Sequence, residues 1–195
     1  GMQAYEVQWD NAAVFGSPAS AEVSAPGTSY THAAPLLDGT WYFRIRARDA
    51  ANNLSGFSES GSVLLDTVLP AVGADNASSM WFQSRTTTLS VFDAGSGVDQ
   101  ARYNWDSNLM NPACTAGGTS FTDSTVLTVE EGSHELFLCV RDDAGNVGVW
   151  TSGADQYRVD TVAPTTNMFC DGVVCSGPYD MSVSITFACS DGVGS

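Results

Sequence analysis

Arg48-Asp49-Ala50-Ala51-Asn52, followed by Val63-Leu64-Leu65-Asp66-Thr67-Val68-Leu69-Pro70, is written a second time in this chain. It returns as Arg141-Asp142-Asp143-Ala144-Gly145-Asn146, followed by Tyr157-Arg158-Val159-Asp160-Thr161-Val162-Ala163-Pro164. The separation is 93 from Asp49 to Asp142 and 94 from Asp66 to Asp160. That period is too long for a solenoid repeat and matches one small β-sandwich domain. The twin Asp-Thr-Val segments therefore divide the chain into residues 2–69, 70–163 and 164–195.

Between these hinges the apolar residues alternate with a period of two, the signature of a strand with one buried face. From Thr40 to Arg48, Trp41, Phe43, Ile45 and Ala47 face one way, and Tyr42, Arg44, Arg46 and Arg48 the other. Similar runs occupy Thr86–Phe92, Val98–Trp105, His134–Val140 and Met181–Cys189, each bounded by Gly, Pro, Asp or Asn. No segment sustains a helical period of 3.6 residues. The chain reads as all-β, and stacking two sheets is the natural way to bury one face of each strand.

The stretch Tyr5-Glu6-Val7-Gln8-Trp9-Asp10, then Leu37-Asp38-Gly39-Thr40-Trp41-Tyr42-Phe43-Arg44-Ile45-Arg46-Ala47-Arg48-Asp49, resembles a fibronectin type III domain. Trp41 stands where that family places its corner tyrosine, so the usual hydroxyl bond cannot form. The middle segment, with Asp93-Ala94-Gly95-Ser96-Gly97-Val98, Gly132-Ser133-His134 and Asp142-Asp143-Ala144-Gly145-Asn146, resembles the immunoglobulin-like repeats of bacterial surface and secreted proteins. The resemblance implies immunoglobulin-like and fibronectin III-like sandwich repeats, one complete (70–163) and two partial. Residues 2–69 supply strands C to G and lack A and B; residues 164–195 supply A and B alone. An open sandwich leaves an apolar face in water and invites another chain to complete it. Self-association follows as an expectation, with the 164–195 segment of one copy exchanged onto the first unit of another.

Composition narrows the function classes. Twenty-two acidic residues face seven Arg and no Lys, for a formal net charge of −15. Nucleic acid is excluded as a partner, because phosphate binding needs clustered cations. No apolar run is long enough to insert in a membrane. The carboxylates sit mostly beside Gly, Ala or Asn. Turn chemistry accounts for such placements, since Asp bonds its own backbone in tight turns. The alternative is calcium, which prefers clustered carboxylate oxygens. In an immunoglobulin-like sandwich Asp66, Asp93, Asp142 and Asp143 come from a linker and two loops at one end, and would converge as calcium ligands. Asp160 and Asp191 are their equivalents one repeat later. Calcium is the one cofactor this pattern suggests.

Five Cys are too few for a disulfide scaffold, and their spacing does not suit structural zinc. Cys114, in a Pro/Gly-rich loop, pairs best with Cys139 on a strand of the same domain. Cys170 and Cys175 close a short loop, leaving Cys189 over. Disulfides imply an oxidising compartment, outside the cell or on its surface. Catalysis finds no support: the chain has only His32 and His134, no Gly-x-Ser-x-Gly elbow and no His-Glu-x-x-His helix. Trp81-Phe82 is the best candidate for an exposed aromatic pair that would stack on a glycan or a protein ligand. The sequence therefore reads as a non-catalytic structural or adhesive module of a bacterial extracellular protein. The alternative is an accessory, carbohydrate-binding module of a secreted carbohydrate-active enzyme.

Overall fold

Alternating side chains decide the architecture, because each strand must turn one set of residues toward a partner sheet. A computed structural model describes residues 1–108, 110–178 and 182–192. Among them it contains strands, turns and bends and no helix. The chain forms two units: Gly1–Pro70 with Phe92–Asp99 and Arg141–Val147, and Ala71–Val91 with Gln100–Val140 and Gly148–Ser195. Loops 92–99 and 141–147 thus group with the first segment. Hydrogen bonds explain this: the Ser96 amide donates to the Asp66 carboxylate at 2.6 Å, and Asn146 Nδ2 to the Asp66 carbonyl at 3.0 Å.

The first unit carries β1 (Met2–Asp10), β2 (Ala19–Ser24), β3 (Gly39–Asp49) and β4 (Gly61–Leu65) in one antiparallel sheet, ordered β2-β1-β3-β4. Its register sets Val7 opposite Ile45, Trp9 opposite Phe43 and Trp41 opposite Val63, so one face is apolar throughout. The other face pairs Glu6 with Arg46 and Gln8 with Arg44. Arg46 donates to Glu6 at 2.7 Å and holds its carboxyl below the usual value. Arg44 lies 4.1 Å from the ring centres of both Phe15 and Phe57, a cation–π arrangement. The missing tyrosine corner is replaced: the Trp41 indole N–H donates to the Leu37 carbonyl at 2.8 Å.

The second unit builds a two-layer sandwich; Phe92, Val98, Asp99, Arg141, Asp142 and Val147, at the ends of its strands, group with the first unit. Its strands are β5 (Ala71–Ala74), β6 (Ser78–Phe82), β7 (Thr86–Phe92), β8 (Val98–Trp105), β9 (Thr119–Ser120), β10 (Val126–Thr128), β11 (Gly132–His134), β12 (Leu136–Asp142), β13 (Val147–Thr151) and β14 (Tyr157–Val159). They form sheets β10-β7-β5, β11-β14-β6 and β13-β12-β8-β9. Leu89 of β7, Ala101 of β8, Leu136, Leu138 and Val140 of β12, and Tyr157 and Val159 of β14 share one buried cluster. The buried Tyr157 hydroxyl donates to the Asp75 carbonyl at 2.7 Å and lies 3.0 Å from Thr87 Oγ1. Burial pushes its pKa up.

After the second hinge come β15 (Thr165–Cys170), β16 (Val173–Val174) and β17 (Ile185–Ser190), ordered β16-β15-β17. The strand expected from Met181 begins at Ile185; Met181 lies outside the described residues. Every residue of β17 is exposed.

Burial makes the first prediction. Leu138 and Ile45 hold equivalent positions in the repeat, but Leu138 is 1% exposed and Ile45 44%. Leu138→Ala is expected to lower the unfolding free energy by about 2–5 kcal/mol, as filled-core truncations do. Ile45→Ala should cost less than about 1 kcal/mol. Urea denaturation of both variants checks this, and equal losses would contradict the difference in burial.

Candidate metal centre

Three of the acidic side chains converge. Asp66 follows β4, Asp93 follows β7 and Asp142 ends β12; one carboxylate oxygen from each lies within 4.8 Å of the others. All three belong to the first unit.

Each carboxylate is placed by its own loop. Asp66 accepts the Val68 amide on Oδ1 at 3.0 Å and the Ser96 amide on Oδ2 at 2.6 Å. Hydrogen bonds from Ser96 and Val68 hold its carboxyl below the usual aspartate value. Asp93 receives the Gly95 and Gly97 amides on Oδ2, at 3.0 and 2.7 Å. Its Oδ1 is shielded from solvent and has no hydrogen-bond partner. Asp142 is fully buried. It is bracketed by Asn146, whose amide reaches Oδ1 at 2.7 Å and whose side chain reaches Oδ2 at 2.8 Å. Gly95 is required by this packing, since a β-carbon there would collide with the Asp66 carboxylate.

Asp143 does not join the group. Its amide donates to the Gly97 carbonyl at 3.0 Å, which ties the two loops together through backbone instead. Turn chemistry is present as well, at the equivalent positions of the repeat. Asp49 brackets Asn53 as Asp142 brackets Asn146, and Asp160 accepts the Val162 amide as Asp66 accepts that of Val68. Asp160 and Asp191 form no second group of three carboxylates among the described residues. The acidic residues thus serve two roles. Several shape turns, and among the described residues Asp66, Asp93 and Asp142 also meet.

The remaining candidates are placed as follows. Cys114 is joined to Cys139 with a Cα separation of 5.9 Å, and Cys170 to Cys175 with one of 4.9 Å. Cys189 carries an exposed thiol. Trp81 and Phe82 are neighbours on β6, so they point to opposite faces and cannot form one stacking platform. Each ring already meets a guanidinium, Arg158 at 5.4 Å from Trp81 and Arg85 at 4.8 Å from Phe82. His134 Nδ1 lies 2.7 Å from Asp106 Oδ2 and its Nε2 lies 3.2 Å from the Glu131 carbonyl. With both ring nitrogens engaged, neither is free to activate a nucleophile.

No protein-family model and no curated protein matches this chain. Among solved structures, the fibronectin(III)-like modules of Clostridium thermocellum CbhA are similar to it. The identity is 14%, over 77% of this chain and 76% of that chain, with a TM-score of 0.31.

His134 makes the second prediction. Burial opposes its charge, but the Asp106 carboxylate and Glu131 carbonyl outweigh burial and raise its pKa. A raised folded-state value adds stability that is fully present below the unfolded value of about 6.5 and is lost as the pH rises through the folded value. Melting temperature should therefore contain a component that falls as the pH rises above about 6.5, and His134→Phe should remove it. An unchanged pH profile in that variant would contradict the assignment.

Proposed function

We propose that the chain is a non-catalytic structural or adhesive segment of a bacterial extracellular or cell-surface protein, stiffened by a calcium ion at Asp66, Asp93 and Asp142. The observation that carries this reading is the meeting of three carboxylates from a linker and two loops. Like charges this close repel one another unless a proton or a cation neutralises them. The hydrogen bonds that keep Asp66 ionised argue against the proton. Calcium accepts six to eight oxygen ligands in flexible geometry, with waters and carbonyls completing carboxylate sets. The unpartnered Asp93 Oδ1 is an oxygen available to it. The gain would be mechanical, since a cation ties the Asp66 segment to both loops.

The disulfides support the location. The Cys114–Cys139 bond closes a 25-residue separation between largely buried sulfurs, which suits an oxidising compartment. Among the described residues no helix is long and apolar enough to cross a membrane. The accessory, glycan-binding alternative draws no support from Trp81 and Phe82, whose rings diverge and are occupied by arginines.

Calcium-dependent melting tests the proposal. A ligand that binds only the folded state stabilises it by about 2.7 kcal/mol at a hundredfold excess over its Kd. For domains of this size that corresponds to a rise of several degrees over the chelated protein. Asp93→Asn preserves shape and removes the charge, and should abolish most of the rise. Melting curves that coincide in calcium and in chelator would overturn the reading.

A further inference from the structure

We propose that His134 is a proton-operated clasp. Its imidazolium joins the Asp106 loop to the Glu131 turn and, through Glu131 and Thr161, steadies the segment after β14, which loosens when the proton leaves. Hydrogen-bond arithmetic carries this. Nδ1 of His134 faces a carboxylate oxygen, Asp106 Oδ2, at 2.7 Å, and Nε2 faces the Glu131 carbonyl at 3.2 Å. Both partners only accept, and a neutral imidazole has a single N–H to give. The ring satisfies both only as the cation. Deprotonation leaves a nitrogen lone pair pointing at one of the two oxygens. Asp106, nearer and charged, keeps its bond from Nδ1–H, so the Glu131 carbonyl is the partner released.

The released turn is tied to the second hinge. β11 is a three-residue edge strand in the order β11-β14-β6, with Gly132 opposite Val159 and His134 opposite Tyr157. So short an edge has little else to hold it and opens locally. The Glu131 carboxylate accepts the hydroxyl of Thr161, which lies just beyond the end of β14. The first repeat makes the same joint with a different donor. There Asp38 stands for Glu131 and Thr67 for Thr161, and Asp38 Oδ1 accepts the Thr67 amide at 3.1 Å and its hydroxyl at 3.0 Å. Trp41 stands for His134, and its indole N–H donates to the Leu37 carbonyl at 2.8 Å. An indole N–H is a permanent donor, whereas an imidazole already bonded to a carboxylate can spare a second N–H only while charged. The chain thus carries one fixed corner and one that answers to pH.

The charges around the ring set where the clasp works. Asp106 follows β8, Glu130 and Glu131 precede β11, and Glu135 precedes β12 with its amide donating to Asp106 Oδ1 at 2.9 Å. On β14, Tyr157 has its hydroxyl bonded in the core, and Arg158 is paired with Asp155 at 3.6 Å. Asp155 in turn accepts the Ser133 hydroxyl. The one cation nearby is therefore already matched, and the remaining groups favour the imidazolium. Burial works against the charge and is outweighed, which places release of the proton above the ordinary value of about 6.5. The clasp is closed in mildly acid medium and open in alkaline medium.

Two measurements on the intact chain test the clasp, both in chelator so that calcium plays no part. Nitrogen NMR of the imidazole should show both nitrogens of His134 protonated in mildly acid solution and Nδ1 alone protonated in alkaline solution. Amide hydrogen exchange, expressed as protection relative to an unstructured peptide at each pH, should report the release. Protection of residues 132–134, Asp160 and Val162 should fall about two- to tenfold between about pH 5 and about pH 8.5, the worth of one net hydrogen bond. The β12 amides serve as the reference. His134→Gln should remove this pH dependence. Thr161→Val should lower protection at Asp160 and Val162 at both pH values and leave the imidazole titration in place. Should His134→Gln fail to fold, the imidazole spectrum of the parent still decides. An Nε2–H tautomer in alkaline solution, protection independent of pH in the parent, a pH dependence that survives His134→Gln, or a Thr161→Val variant protected like the parent would each overturn the proposal.

Discussion

A β-sheet whose side chains alternate apolar and polar has one face that water will not cover favourably, and this constraint organises the whole chain. Where a second sheet is at hand, the face disappears into a core: β7, β8, β12 and β14 bring Leu89, Ala101, Leu136, Leu138, Val140 and Tyr157 together. Burying each such side chain contributes roughly 1.5–3 kcal/mol. The polar Tyr157 hydroxyl is accommodated in that core by donating a hydrogen bond to the Asp75 carbonyl, with Thr87 Oγ1 beside it. The first unit repeats the pattern on β1 and β3 within one four-stranded sheet. There the covering is partial, supplied by Tyr30 and His32 packed against Trp9 at 5.4 and 4.5 Å.

The opposite face of that sheet shows how the chain keeps its polar side ordered. Arg44, Arg46 and Arg48 follow one another at every second position of β3. Gln8, Glu6 and Glu22 receive them, and Phe15 and Phe57 cap the first two guanidiniums. At the strand ends, Asp49–Asn53 and Asp142–Asn146 brackets close the turns. The acidic surplus is therefore divided among turns, ion pairs and the one three-carboxylate meeting point.

Much of this was legible in the sequence, for physical reasons specific to each element. The facing of Trp41, Phe43, Ile45 and Ala47 followed from period two, which the backbone enforces whatever the fold. The 93-residue echo made β12 the counterpart of β3. Spacing brought out Asp66, Asp93 and Asp142, because linker and loop ends meet in this topology. Asp143, named with them, lies outside the group of three carboxylates. Trp81 and Phe82 are consecutive on one strand and so face opposite ways, a rule legible in the sequence. The indole bond from Trp41 to Leu37 and the close approach of Asp66 to Gly95 depend on coordinates and have no sequence signal.

The account turns on whether an apolar sheet face without a cover behaves differently from one that has it. Amide hydrogen exchange followed strand by strand reads this directly, since protection reports the free energy of local opening. The amides of β8 and β12 should be protected near the global limit at every protein concentration. Those of β1 and β3, whose apolar face is more exposed, should exchange far faster. Equal protection of β3 and β12 would contradict the claim that burial of the apolar face sets their stability.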